Sequence, residues 1–235
     1  MDNIILISGG GGNLATKLSQ CTTDYTLVPL SKERLDICNI SRVRAWLDAL
    51  QPKYFIHTAA LTRPMKLHTD NPALSINTNI IGTANIVQEC MKRDIKLIYI
   101  STDYVYPGTD GDYLETDPVL PVNEYAWSKL GGECAVRLYK NSLILRMALC
   151  EKPFPHKKAL HDIKKSYIYI DDAVEIILKL KDEFGIINVG GKPMTPYEFI
   201  KQENKNIEKV SLTEVSDVNM AKDSTMNINK LKNLL

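Results

Sequence analysis

An α/β fold with a doubly wound parallel sheet is the architecture the sequence predicts, on three observations. Apolar runs of strand length alternate with helix-period segments through the first 150 residues, as when crossover helices bury both faces of a parallel sheet. A glycine cluster, Gly9 to Gly12, directly follows the first apolar run. No internal repeat and no long linker divides the 235 residues, so 1–235 reads as one domain, with 1–150 as the core and 151–235 as a small, shortened C-terminal portion.

Taken in order, residues 3–8 form a continuous apolar run and read as a fully buried strand. A short helix from Asn13 to Gln20 and a strand from Tyr25 to Pro29 follow. Ser41 is a candidate N-cap for a helix with Val43, Trp46, Leu47 and Leu50 on one face. Pro52 ends that helix, and Tyr54 to His57 is the third strand. Ile76, Ile80, Ala84, Val87 and Met91 predict one side of a long helix after Pro72. Lys96 to Ser101 is a fourth strand, Tyr125 to Tyr139 a helix, and Ser142 to Met147 a fifth strand. Beyond it, Lys152 to Lys165 reads as a loop or lid. A short strand (Tyr167 to Ile170), a helix (Asp171 to Asp182), a strand (Ile186 to Val189) and a helix from Pro196 to about Lys205 follow. The tail from Asn206 is polar and carries no clear pattern.

The bulk numbers exclude several classes. Hydrophobic residues at 44% and charged residues at 24% are ordinary for a globular chain. A net charge of +1 gives no reason to expect nucleic acid or an anionic membrane as partner. The first apolar run stops at glycines and lacks a basic leader, and no apolar stretch approaches membrane-spanning length. Cys21, Cys38, Cys90, Cys134 and Cys150 are scattered without a C-x-x-C pair, which predicts reduced, mostly buried thiols and a cytoplasmic location. The four histidines show no metal-ligand spacing, so no metal is expected.

Gly9, Gly12 and Ala15 fit G-x-x-G-x-x-A between a strand and a helix. Such a loop makes a tight turn, admits a pyrophosphate and lets the helix pack close, while the helix N-terminus favours phosphate charge. A dinucleotide is therefore the expected ligand of a Rossmann-type sheet, with Asn13 and Leu14 beside it. The second strand leads into Ser31 and Lys32 rather than an acid. That favours a 2′-phosphate and hence NADP(H), with NAD(H) as the alternative; Asp36 and Ile37 are placed near the adenine.

Tyr125-x-x-x-Lys129 puts a phenol and an ammonium one helical turn apart, where the lysine is expected to lower the phenol pKa and make Tyr125 a proton donor to an alkoxide. The spacing alone is not selective, because it recurs at Tyr197/Lys201. Position decides between them: Tyr125 follows the fourth strand and lies 23 residues after Thr102, whose hydroxyl at the strand end is placed to bind a carbonyl oxygen. Tyr197 is read as structural.

These residues together resemble the extended short-chain dehydrogenase/reductase family, and within it the dTDP-4-dehydrorhamnose reductases. The likeness runs from the glycine loop through His57-Thr58-Ala59-Ala60, Asn79-Ile80-Ile81-Gly82-Thr83, Ser101-Thr102-Asp103-Tyr104-Val105-Tyr106 and Glu115-Thr116-Asp117-Pro118. It continues through Tyr125-Ala126-Trp127-Ser128-Lys129 to Leu145-Arg146, and returns at Tyr169-Ile170-Asp171-Asp172 and Asn188-Val189-Gly190-Gly191. The resemblance implies Thr102, Tyr125 and Lys129 as a catalytic triad, Asn79 as its fourth member, Ala59 and Ala60 along the cofactor, and Lys129 on the nicotinamide ribose. Thr62, Arg63, Asp103 and Tyr104 are implied on the substrate side. Arg63, Lys157 and Lys158 are candidate phosphate contacts, but each is read first as a solvated surface charge.

Dehydratases of the family carry Asp-Glu after the catalytic Thr, and this chain has Asp103-Tyr104. Epimerase/reductases carry a Cys where Asp103 stands. The implied activity is therefore NAD(P)H-dependent reduction of the 4-keto group of a nucleotide-linked 4-keto-6-deoxy sugar. The stretch between Arg146 and Tyr169 is shorter than the family's usual substrate segment. Two alternatives stay open: a non-catalytic regulatory subunit of the same fold, or a bifunctional 3,5-epimerase/4-reductase. The expected partner is a nucleotide-sugar; homodimerisation is left open.

Overall fold

A computed structural model describes residues 3–215 and 219–235. Its centre is a six-stranded, all-parallel sheet of β1 (Ile4–Ser8), β2 (Thr26–Leu30), β3 (Tyr54–His57), β4 (Lys96–Thr102), β5 (Ser142–Met147) and, from late in the chain, a strand at Gly185–Val189. Every residue of β1, β3, β4 and β5 is buried, so the centres of these strands read as apolar runs rather than alternations.

The spatial order is β2-β1-β3-β4-β5 and then the late strand. The chain therefore reverses direction across the sheet between β1 and β3, and the crevice beyond their carboxyl ends is where open α/β sheets bind ligands.

Helices cover both faces. On one lie α1 (Asn13–Leu18) and the later helices at Ile170–Lys179 and Asn229–Leu234, whose apolar residues join Ile5, Ile7, Ile98 and Leu145. On the other lie α2 (Ile40–Leu50), a compound helix spanning 72–93, and the helix at Glu124–Arg137, packed on Leu6, Phe55, Leu97 and Tyr99. A short α3 (Lys66–Asp70) precedes the compound helix, which comprises α4 (Pro72–Ser75), a π-helical stretch (Ile76–Gly82) and α5 (Thr83–Arg93). The remaining elements are α6 (Glu124–Arg137), β6 (Leu149–Cys150), β7 (Lys158–Leu160), β8 (Ile168–Tyr169), α7 (Ile170–Lys179), β9 (Gly185–Val189), α8 (Pro196–Lys201), β10 (Glu208–Val210), α9 (Leu212–Val215) and α10 (Asn229–Leu234). Among the described residues no helix is long and apolar enough to cross a membrane.

Four expectations are corrected. Asn39, not Ser41, caps α2, its side chain accepting from the Arg42 amide at 3.1 Å. Of the five residues expected to line the long helix only Val87 is buried; Ile76 and Met91 are 47% and 46% exposed. The physical reason is the π stretch, whose i→i+5 bonding adds a residue to the turn and slips the phase, so that Ser75, Asn79, Thr83, Ile86 and Cys90 face inward instead. The segment read as a loop or lid contains β7, which pairs in parallel with β10 from the supposedly patternless tail. Only Cys90 and Cys150 of the five thiols are buried; Cys38 and Cys134 are exposed.

The π stretch packs against α6 at Gly132. A Cβ there would stand 2.6 Å from the Asn79 carbonyl and 2.7 Å from the Tyr99 hydroxyl. Gly132→Ala is therefore expected to destabilise the protein by about 1–3 kcal/mol, read as a lower urea midpoint with unchanged m-value; an unchanged midpoint would contradict the tight contact.

Candidate active site

The loop after β1 is shaped by one residue above all. Gly9 has φ +73°, and a Cβ on it would lie 2.8 Å from the Ala59 backbone; only glycine takes that conformation in that space. The turn closes through Gly12 N–H to the Gly9 carbonyl (2.8 Å), and Gly10 N–H donates to Leu30 O (2.8 Å), bringing the ends of β1, β2 and β3 together. Buried Ala15 then lets α1 lie close to the sheet.

Beneath the loop runs a chain of buried hydrogen bonds. Thr83 gives its only hydroxyl proton to the Asn79 carbonyl at 2.8 Å, so it accepts from His57 Nε2 at 3.0 Å. His57 Nδ1 then accepts from Ser8 Oγ at 2.8 Å, while Ser8 Oγ accepts from Ala59 N–H at 3.3 Å. The tautomer follows from this donor arithmetic. Burial, with the Lys129 charge, pushes the His57 pKa down to about 3, so the ring is neutral.

A cavity of about 790 Å³ opens at this edge. Gly9, Gly12, Asn13 and Leu14 line one part of it, with Ser31, Lys32, Asp36 and Ile37 from the end of β2 onward and Ala59 and Ala60 after β3. Thr102, Asp103 and Tyr104 at the end of β4, Tyr125 and Lys129 on α6, and Thr62 and Arg63 also line it. The topology thus gathers the glycine loop, the Thr-Tyr-Lys set and the expected substrate side in one space.

Helix α6 starts at Asn123, whose side chain accepts from Ala126 N–H at 2.9 Å. Lys129 Nζ donates to the Ile100 carbonyl at 2.8 Å and lies 4.2 Å from the centre of the Tyr99 ring. Burial pushes its pKa down to about 7, opposed by Glu133. Tyr125 is half-buried, edge-on to His68 at 5.2 Å and to Tyr104 at 6.3 Å. Burial first, then the Asp103 charge, raises its phenol pKa, while the Thr102 hydroxyl pulls it back. The expected lowering by Lys129 is therefore corrected: in this arrangement desolvation and the neighbouring carboxylate prevail.

Asn79 is not in the cavity wall. It is 1% exposed, accepts from Leu61 N–H (2.8 Å), and donates to Leu61 O (2.9 Å) and Ser128 Oγ (2.8 Å), so it clamps the loop after β3 onto α6. Lys157 and Lys158 are exposed and also lie outside the cavity lining. Arg63 lines the cavity and pairs with Glu151 at 2.9 Å. The second Tyr-x-x-x-Lys pair, Tyr197 and Lys201, hydrogen-bonds on an exposed helix face at 2.6 Å.

Sequence reasoning missed Lys165, Glu151, Tyr167 and Glu33 in the lining. Only Glu33, two residues beyond Ser31, had a local signal. Among the described residues no cluster of His, Cys, Asp or Glu is set to hold a metal.

The RmlD substrate binding domain model matches residues 3–150. The chain is 31% identical over 151 residues to a dTDP-4-dehydrorhamnose reductase of Aggregatibacter actinomycetemcomitans, covering 60% of this chain and 50% of that protein. It is 34% identical over 104 residues to methionine adenosyltransferase 2 subunit beta of Xenopus tropicalis, covering 44% and 31%. Among solved structures it resembles a dTDP-4-dehydrorhamnose reductase from Bacillus anthracis in complex with NADP, with TM-score 0.89, 27% identity, and 99% and 93% of the two chains covered. The chain spans half or less of the length of these curated relatives. It belongs to the RmlD substrate binding domain family, as the resemblance to the extended dehydrogenase/reductases implied.

Lys129 has a folded pKa below its unfolded value of about 10.4. Between those values the unfolded chain binds the extra proton, so stability rises with pH from about 7 upward. Urea unfolding at pH 7 and pH 9.5 should show the wild type gaining relative to Lys129→Met; parallel curves would contradict a Lys129 amine that burial has driven toward its neutral form.

Proposed function

We propose that this chain is an NAD(P)H-dependent oxidoreductase that reduces the 4-keto group of a nucleotide-linked 4-keto-6-deoxy sugar. The observation that carries the reading is the convergence of Thr102, Tyr125 and Lys129 with the glycine loop in one cavity at the carboxyl edge of the sheet. The whole chain, 1–235, acts as one domain in this reading, with 151–235 as the reduced substrate-side wall.

The residues present suit a dinucleotide. Gly9 leaves a cradle that a Cβ would fill, and Ser31 and Lys32 reach the cavity where a ribose phosphate would lie. NADP(H) is the preferred cofactor, in line with the NADP named with the Bacillus anthracis reductase. When bound, the dihydronicotinamide supplies the hydride.

The protein's own part is to bind, orient and donate a proton. In this reading Thr102 Oγ1 and the Tyr125 hydroxyl, both from residues that line the cavity, hold the carbonyl oxygen. The raised phenol pKa keeps Tyr125 protonated at neutral pH, the state a general acid needs as negative charge develops on that oxygen. Lys129, with one N–H committed to Ile100 O, keeps its remaining N–H for the ribose hydroxyls. Asn79 keeps the loop above α6 in place, as a positioning residue rather than a member of the reacting set.

A regulatory-subunit reading draws support from the likeness to methionine adenosyltransferase 2 subunit beta. The two readings separate in one assay, NADPH oxidation with dTDP- or UDP-4-keto-6-deoxyhexose. Tyr125→Phe is expected to lower kcat about 10²–10⁴-fold, and equal rates in wild type and variant would reject the enzyme. In the same assay Lys32→Ala should cut the kcat/KM preference for NADPH over NADH about tenfold, the loss of one charge-assisted phosphate contact; an unchanged preference would leave Lys32 out of the cofactor site.

A further inference from the structure

The charged groups that this reaction scheme leaves unused meet at one buried point. Asp103 opens the 3₁₀ turn after β4, Lys165 precedes β8, and Ser224 lies in the C-terminal stretch. They are 2%, 1% and 0% exposed. Lys165 forms an ion pair with Asp103 Oδ2. The Ser224 hydroxyl donates to the same oxygen at 2.6 Å, and Lys165 Nζ also donates to Ser224 Oγ at 3.1 Å. The ring of Tyr104 covers the ammonium, 3.6 Å from ring centre to Nζ. The other oxygen, Asp103 Oδ1, accepts from the Thr102 hydroxyl at 3.2 Å.

Backbone pairing sets where this lysine sits. Lys165 N–H donates to Met194 O at 3.0 Å and Met194 N–H returns to Lys165 O at 3.1 Å. Lys164 N–H donates to Lys222 O at 2.8 Å, and Ser224 N–H to Lys164 O at 3.1 Å. The same stretch ties to the loop after β4, Asp223 N–H to Gly108 O at 2.9 Å and Tyr113 N–H to Thr225 O at 3.0 Å. Three segments far apart in sequence thus deliver one ammonium and one hydroxyl to a single carboxylate oxygen.

Thr102 has one proton to give. A bare buried carboxylate would hold it strongly, because hydrogen bonds to an ionised acceptor are about twice as strong as neutral ones. Two donors on Oδ2, one of them charged, draw electron density from the carboxylate and weaken its grip through Oδ1. We propose that Lys165 is a positioning residue for the reaction: with Ser224 it fixes Asp103 and loosens its hold on the Thr102 hydroxyl, leaving that proton free to turn to a substrate carbonyl. The C-terminal stretch 222–226 then acts from behind the cavity lining, through Asp103 and Lys165. This inference rests on the reductase reading of the same site.

Two measurements test it. Without Lys165 the Thr102–Asp103 bond is tighter, so Thr102→Val should lower Tm more in a Lys165→Met background than in the wild type, by about 2–6 °C. The excess should vanish when Asp103→Asn is added. Additive losses would overturn the proposal, and this readout needs neither cofactor nor turnover. In the NADPH assay Lys165→Met should lower kcat about tenfold to a hundredfold, with KM within about threefold, and Lys165→Arg should recover most of the loss. Ser224→Ala, a gentler change, should shift kcat the same way by a smaller factor. A loss confined to KM, or kcat within about threefold of wild type in Lys165→Met, would also overturn it. Equal rates in wild type and Tyr125→Phe would instead strike the reductase reading, and the Tm comparison would then decide the role of Lys165 by itself.

Discussion

The Glu133 carboxylate, fully buried, is the joint on which the site hangs. Arg146 of β5 reaches both its oxygens, at 2.5 and 3.3 Å, and Ser101 of β4 donates to it at 2.8 Å. A buried acid holds its place only when it is fully partnered, and losing one partner of such a pair costs about 3–5 kcal/mol. Here the partners come from two adjacent strands, so the ion pair fixes the rotation of α6 as well as its position. Lys129 and Tyr125 stand four and eight residues before Glu133, on the same face of that helix. Once Glu133 is docked, Lys129 falls on the Ile100 carbonyl and Tyr125 on the strand end where Thr102 stands.

The same burial that places these groups also sets their charge. Lys129 and His57 are pushed toward neutrality, and so is Tyr125 from the opposite side of the pH scale. A helix-turn spacing of phenol and ammonium suggests attraction between charged forms. In the folded protein the low dielectric acts on each group first, and both prefer to be uncharged. The exceptions are the buried ion pairs Asp103–Lys165 and Glu133–Arg146, where each charge is matched directly by the other. The paired charges carry the architecture around Thr102 and α6.

How much of this was written in local sequence differs from element to element. β3 and β5 were read to their boundaries, and β1 to within one residue, because strands buried on both faces give apolar runs that little else in the chain imitates. That the glycine loop, Thr102, Tyr125 and Lys129 meet at one cavity was also legible, since each follows a strand end in order. The compound helix was not. Its apolar spacing satisfied an α-helical period, yet the π stretch at Ile76–Gly82 rotated the face and left Ile76 and Met91 outside. Asn79 kept the inward position but spends its side chain on Leu61 and Ser128, a role that depends on a loop eighteen residues away.

Lys165 and Ser224 were hidden for a stronger reason: neither sits in a segment with any period. Segment 151–165 and the stretch after 206 are polar in sequence because their apolar residues are few and scattered. Ala159, Ile207 and Val210 become core only when β7 and β10 find one another. That pairing is non-local, and so is the bridge that carries Ser224 to Lys164. The C-terminal portion has only a small core of its own, around Cys150, Ala159, Ile200 and Ile207. It also straps the tail across the loop after β4, and a strap of that kind needs a buried anchor. The ion pair between Asp103 and Lys165 supplies one. Because the anchoring acid is the neighbour of Thr102 and accepts from its hydroxyl, the strap is bonded to a side chain that lines the cavity.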